Sequence, residues 1–231
     1  MKKQANFFKE LPQSNMTPMM QQYANIKMLH QDCLLFYRMG DFYELFFEDA
    51  IAAAPILDIA LTKRGRQNGD DIPMCGVPYH AYEYYLLKLL KAGHKVAVCE
   101  QLETPEEAKK RGYKEVVRRE VVRIITPGTL LEETLLDSKQ ANYLMSIALW
   151  EGVVATSWVD ISTGEFSVSI TTINSLTSEL ARLSPSEIII PEKLLTNDKA
   201  RQTLAEYQKK LSIRANSIFD FSRAENKLKE F

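Results

Sequence analysis

No apolar run in this sequence approaches the roughly 18–20 residues needed to span a bilayer, so a membrane partner is not expected. The opening "MKKQANFFKELPQSN" is basic, but Lys9 and Glu10 break any apolar signal-peptide core, and residues 1–16 read as a flexible arm. Cysteine is scarce. Cys33, Cys75 and Cys99 are odd in number, far apart and free of CxxC spacing, which excludes a disulfide framework or a zinc site and fits a reducing, cytoplasmic setting. The formal net charge of -1 excludes a global basic field, so an anionic partner must be held by a local patch. Neither GxSxG nor GxxxxGK[ST] occurs, which removes a hydrolase elbow and a nucleotide-binding P-loop from these residues. His30, His80 and His94 show neither ligand nor triad spacing. Internal repeats and low-complexity tracts are absent.

What is present is a chain of 231 residues, 45% hydrophobic and 26% charged, enough for two ordinary domains with substantial cores. Thr17-Pro18 predicts a capped helix running to about His30, and Leu34–Met39 reads as a buried strand closed by Gly40. From Asp41 the pattern "DFYELFFEDAIAAAPIL" reads as helical, with Leu45, Ala50, Ala53 and Ala54 available for packing. "IALTKRG" is a strand leading into a turn at Asn68-Gly69, "MCGVPYHA" a loop, and Tyr85, Leu86, Leu89 and Leu90 the apolar face of a helix that Gly93 terminates. "HKVAVCEQL" and "VVRREVVRIITPG" are further strands. An acidic stretch at 130–139 marks a linker between domains at 17–129 and 140–231. Beyond it come a three-strand meander with turns at Glu151-Gly152 and Thr163-Gly164, a helix over Ile173–Leu183 and the short strand "EIIIP". From Glu192 onward the chain reads as polar and helix-prone, with nothing to extend a sheet. The fold class is mixed α/β.

Three groups of residues bear on function. In "MGDFYELF", a helix would point Phe42 and Glu44 about 200° apart, whereas an extended backbone puts both on one face and turns Tyr43 inward. Burial statistics favour Phe42 as a core aromatic closing the strand. The alternative is a wedge: apolar side chains inserted from the minor groove unstack base steps, most cheaply at a mispaired base, and a neighbouring carboxylate can accept an N–H from that base. Second, Lys63, Arg64 and Arg66 form a compact basic group before a loop containing Met74 and Gly76. With Lys109, Lys110, Arg111, Lys114, Arg118 and Arg119, these cations are candidates for phosphate contact or plain solvated surface. Third, Asp160 on an apolar strand, followed by Glu165, invites a comparison with two-metal nucleases, but the remaining acids such a site needs are not at convincing positions.

Read together and in order, "TPMMQQY", "LLFYRMGDFYELF", "LTKRG", "IPMCGVPYHA", "VAVCEQ" and "VVRIITPGT" closely resemble the N-terminal part of the MutS family of bacterial DNA mismatch repair proteins. "WVDISTGEF" and "SPSEIIIP" resemble that family's connector domain more loosely. The resemblance implies a mismatch-recognition domain at 17–129, a mixed sheet flanked by helices, and a C-terminally truncated ribonuclease H-like connector without nuclease function at 140–231. It implies that Phe42 stacks on a mispaired or unpaired base, that Glu44 hydrogen-bonds to it, and that Lys63, Arg64, Met74 and Gly76 lie close to the DNA. It further implies double-stranded DNA with mismatches or small loops as ligand, MutL as a partner and a homodimer for the full-length protein. ATP and magnesium belong to an ATPase domain that these motifs do not include, so no cofactor and no catalysis are expected of this chain.

Overall fold

A computed structural model describes residues 16–67, 69–113, 115–130 and 141–230. Residues 1–15 of the expected arm (1–16), Asn68, Lys114, residues 131–139 of the expected linker (130–139), Gln140 and Phe231 lie outside the described residues. Two compact units divide the chain, Met1–Ile125 and Thr126–Phe231.

The first unit is built on a six-stranded mixed sheet in the order β3-β4-β2-β1-β5-β6. Its strands are β1 (Cys33–Met39), β2 (Phe42–Phe46), β3 (Thr62–Gln67), β4 (Asp70–Pro78), β5 (Lys95–Gln101) and β6 (Arg119–Ile125). Only β1 and β5 pair in parallel; the other neighbours are antiparallel. Helix α1 (Pro18–Leu29) begins as expected, with the Thr17 hydroxyl accepting the Met20 N–H at 3.3 Å and Pro18 in the first turn. It seats Met20, Tyr23 and Ala24 on Cys33, Leu35, Tyr37, Phe46, Ala97 and Cys99. Because side chains alternate along a strand, the neighbouring positions Tyr43 and Leu45 point to the other face. Helices α2 (Phe47–Leu57) and α3 (Tyr82–Lys91) occupy that face: Cys75 Sγ reaches the Ala50 carbonyl, Lys88 reaches that of Leu57, and the Tyr43 ring lies 5.5 Å from that of Tyr82. Leu86, Leu89 and Leu90 are buried there.

Two sequence expectations fail here for one reason. Asp41–Phe46 is not the start of a helix but strand β2, and "MCGVP" is not loop but the end of β4. Gly40, at φ +59°, begins a two-residue turn that sends the chain back along β1, pairing Met39 with Phe42 and Tyr37 with Glu44. A glycine alone in the left-handed region at the first turn position is the type II′ pattern suited to a hairpin. Strand β4 then pairs with the free edge of β2, placing Pro78 opposite Phe42 and Gly76 opposite Glu44. Pairing on both sides overrides local helical preference, and the prolines and glycine of β4 conceal a strand that buries Ile72 on the α1 face and Cys75 and Val77 on the opposite one. The helix starts only at Phe47, where the backbone passes through φ +54°.

Helix α4 (Pro105–Arg111), with a capping box between Thr104 and Glu107, was not anticipated. It carries Lys109, Lys110 and Arg111 in its last turn, and Arg111 is paired with Glu103 and Glu115.

The second unit holds a five-stranded sheet, β11-β10-β7-β8-β9. Strands β7 (Tyr143–Trp150), β8 (Val153–Asp160) and β9 (Glu165–Thr172) form the expected antiparallel meander. The Glu151-Gly152 turn has φ of +48° and +83°, as the type I′ hairpin requires. Helix α5 (Leu176–Leu183) buries Leu176, Leu180 and Leu183 against Met145, Ile147, Val154 and Ile188. Strand β10 (Glu187–Pro191) runs parallel to β7. The polar tail does extend the sheet: β11 (Leu211–Arg214) pairs in parallel with β10, and α6 (Asp198–Leu204) precedes it while α7 (Phe221–Lys229) follows. Four residues between short helical turns are too few to register as a strand in composition; the open edge of β10 supplies the order. Thr126–Leu130 groups with this unit because the Gly128 N–H reaches the buried Glu187 carboxylate at 3.3 Å.

Candidate nucleic-acid interface

Strand β2 settles how Phe42, Tyr43 and Glu44 are aimed. Tyr43 is buried, its ring stacked on Phe36 at 5.5 Å and its hydroxyl donating to Glu100. Burial, with the Glu100 contact adding to it, pushes the Tyr43 pKa well above the ordinary tyrosine value. Arg38 lies over the Tyr79 ring at 3.4 Å and over Tyr43 at 5.5 Å, closing this inner face. Phe42, expected on burial statistics to be core, is instead 48% exposed at the tip of the hairpin. Pairing with Met39 and Pro78 fixes its backbone while leaving its ring uncovered. Glu44 shares the face of Phe42, as the extended geometry requires.

Glu44 is not a free carboxylate. Arg64 Nη1 lies 2.7 Å from one of its oxygens and 2.5 Å from the other, with the Glu44 side chain 13% and Arg64 40% exposed. Burial raises the Glu44 pKa, and the charges of Arg64 and then Arg119 oppose that rise without cancelling it. Arg64 sits where the β3–β4 register slips: Lys63 faces Pro73 and Arg66 faces Asp71, so Arg64 and Gly65 share the single partner position of Ile72. Gly65 takes φ +70°. A bulge of this kind bends its strand and re-aims a side chain, and here it accompanies the return of Arg64 onto β2. Gly76 stands opposite Glu44, and a Cβ there would touch the Glu44 Cγ at 3.6 Å.

Other candidates fall around this centre or away from it. Lys63 is exposed and paired with Asp71 at 2.8 Å, as is Arg66 at 3.1 Å. Met74 is half-buried and packs toward the α1 core, with the Thr62 hydroxyl on its sulfur. Arg119 is a brace: it donates to the carbonyls of Arg38 at 2.7 Å and Val117 at 2.9 Å, to Gln22 at 3.2 Å and to the Met39 sulfur at 3.2 Å, and lies over the Tyr37 ring. Arg118 is exposed, its backbone N–H held by Glu103. Sequence reading missed the Arg64–Glu44 pair and the bracing by Arg119. No periodicity signals either, because one arises from a bulge and the other joins residues 97 positions apart.

Asp160 and Glu165 face each other across the β8–β9 ladder. Asp160 is buried and accepts the Asn142 N–H, the Ser162 N–H and the Ser162 hydroxyl; these bonds outweigh burial and hold its pKa below the usual value. It is a turn cap. Among the described residues no three His, Cys, Asp or Glu side chains are grouped to hold a metal ion.

Comparison with known proteins finds two matching domains in succession. MutS domain I matches residues 17–134 and MutS domain II residues 142–231. DNA mismatch repair protein MutS of Wolbachia pipientis wMel is 52% identical over 215 residues, covering 93% of this chain and 25% of that protein. The protein of the same name from Roseobacter denitrificans is 55% identical over 212 residues, covering 92% and 24%, and that from Orientia tsutsugamushi strain Ikeda 49% over 216, covering 93% and 24%. The chain thus spans about a quarter of the length of these relatives. With two successive domains matched in order over nearly all of its residues, the chain belongs to the MutS family and corresponds to its domains I and II.

Proposed function

We propose that the first unit recognises mispaired or unpaired bases in double-stranded DNA, as the opening step of mismatch repair, by inserting Phe42 from the minor groove while Glu44 accepts a hydrogen bond from the displaced base. The observation that carries this reading is the exposed Phe42 ring on a strand paired on both sides, with Glu44 on the same face. A wedge tests whether a stack yields, and a mispaired step yields most cheaply. Recognition of this kind needs no bond making. Nucleotide chemistry with ATP and magnesium, and the homodimer, are assigned to the remainder of a longer cytoplasmic protein.

The test compares binding of the chain to a perfectly matched duplex and to one with a single mispair. Base–aromatic stacking is worth about 1–3 kcal/mol, so Phe42→Ala is expected to lower affinity for the mispaired duplex by roughly 5- to 150-fold and to leave matched binding nearly unchanged. An unaltered preference in Phe42→Ala sinks the reading.

A partner-binding role for the second unit rests on a separate observation. Phe166, Val168 and Ile170 on edge strand β9 are 65%, 70% and 78% exposed, beside a trough of Ser146, Ala148, Ala155 and Ser157. An apolar stripe on an open sheet face marks an interaction surface, and MutL is the partner to try in a pull-down. Loss of capture on Val168→Asp and Ile170→Asp is the expected result; undiminished capture excludes this face.

A further inference from the structure

The proposed function uses Glu44 but leaves unexplained why its carboxylate is already occupied. One guanidinium nitrogen of Arg64 contacts both oxygens, and it comes from the exposed β3–β4 hairpin at the point where the strand register slips. The other cations of the hairpin, Lys63 and Arg66, are both engaged by Asp71, so Arg64 alone of the three is turned back onto the site. Arg119 contributes charge near Glu44, but its own nitrogens are committed to Gln22, Arg38, Met39 and Val117.

Two physical consequences follow. A bare carboxylate facing a duplex is repelled by phosphates, and pairing removes that repulsion as the wedge face approaches. Pairing also restricts a side chain with several rotamers to one orientation, on the face of Phe42, so less ordering is required when a base arrives. A carboxylate has about four lone-pair sites and Arg64 leaves some unused, so a base N–H can be accepted without breaking the pair. We infer that Arg64 is a positioning and specificity-determining residue: it holds Glu44 neutralised and oriented beside Phe42, and it discriminates mispaired from matched DNA through Glu44 instead of through a phosphate of its own. This rests on the wedge reading given above.

The experiment is a double-variant cycle on the 231-residue chain with Arg64→Gln, Glu44→Gln and both together. It reads the ratio of affinities for mispaired and matched duplexes, and the pH titration of the Glu44 carboxyl carbon by NMR without DNA. Arg64→Gln is expected to lower the ratio about tenfold when Glu44 is present and to leave it unchanged in the Glu44→Gln background. In the titration, Arg64→Gln is expected to move the Glu44 midpoint upward, because burial then acts with less opposition. Equal losses on both duplexes in both backgrounds identify Arg64 as an ordinary phosphate contact and overturn the inference, as does an unmoved Glu44 midpoint. Phe42→Ala separates the two readings: if it keeps full mismatch preference the wedge fails, whereas loss of preference in Phe42→Ala with an Arg64 effect independent of Glu44 overturns only the role assigned to Arg64.

Discussion

Lys27→Met is expected to destabilise the first unit severely while leaving the second untouched. Lys27 lies on the inward side of α1, its ammonium 2.9 Å from Asp49 and donating also to the Cys33 carbonyl, and both side chains of the pair are almost fully enclosed. The other Asp49 oxygen accepts the buried Leu35 N–H at 3.0 Å. Methionine keeps most of the lysine stem, so no large cavity opens. What is lost is the charge that compensates Asp49, and breaking a buried pair from one side costs about 3–5 kcal/mol. Against the roughly 5–15 kcal/mol that stabilises a domain, and with a urea slope of about 1–3 kcal/mol per molar, the midpoint should fall by about 2 M. Lys27→Met/Asp49→Asn, which removes both charges and keeps an acceptor for Leu35, should cost less than the sum of the single changes. The assay is unusually clean because both tryptophans, Trp150 and Trp158, lie in the second unit. Urea unfolding followed by near-ultraviolet tyrosine dichroism reports mainly the first unit and tryptophan fluorescence the second. A tyrosine transition displaced by less than about 0.5 M, the shift of a change near 1 kcal/mol, refutes the claim that this pair is a buried charge compensation.

Gly40→Ala should cost about 1–2 kcal/mol, since φ +59° carries that penalty for a residue with a Cβ; nothing crowds the position, so a full-sized thermal shift with unchanged spectra is expected, and no shift would show that the turn relaxes freely. Asp160 has a folded pKa held below its unfolded value, so it contributes stability above about pH 4, its unfolded value, and that contribution disappears as pH falls through the folded pKa. Urea midpoints by tryptophan fluorescence from pH 6 to pH 2 should therefore drop further for the parent chain than for Asp160→Asn, and parallel profiles would contradict the capping role.

Much of the fold was legible where one residue determines local geometry. Thr17-Pro18 announces a helix start, and Glu151-Gly152 a tight hairpin, because capping and left-handed turns need few other residues. The errors cluster where order comes from pairing across distance. Phe42–Phe46 carries a helical-looking pattern, yet it is clamped between β1 and β4, and β11 exists only because β10 offers an edge. The same division holds at the site. Motif resemblance singles out Phe42 and Glu44, and alternation alone assigns Tyr43 to the interior. The pairing of Glu44 with Arg64, 20 positions away, depends on a bulge whose register slip is a property of two strands and not of either one.

That dependence also explains why the exposed aromatic stands on a strand and not on a loop. The wedge proposed above would have to push against stacked bases without folding back, which calls for a backbone held from both sides and a neighbour anchored below. Strand β2 meets both needs: ladder bonds to β1 and β4 fix its path, and Tyr43 is locked beneath it by Phe36 and Glu100. Leaving Phe42 half exposed forgoes part of the roughly 1.5–3 kcal/mol that burying such a side chain would contribute. A fold that needed this ring for its own stability could not release it to a duplex. The same alternation that hides Tyr43 is therefore what keeps Phe42 exposed, and a one-residue slip of β2 would exchange the proposed wedge and its anchor.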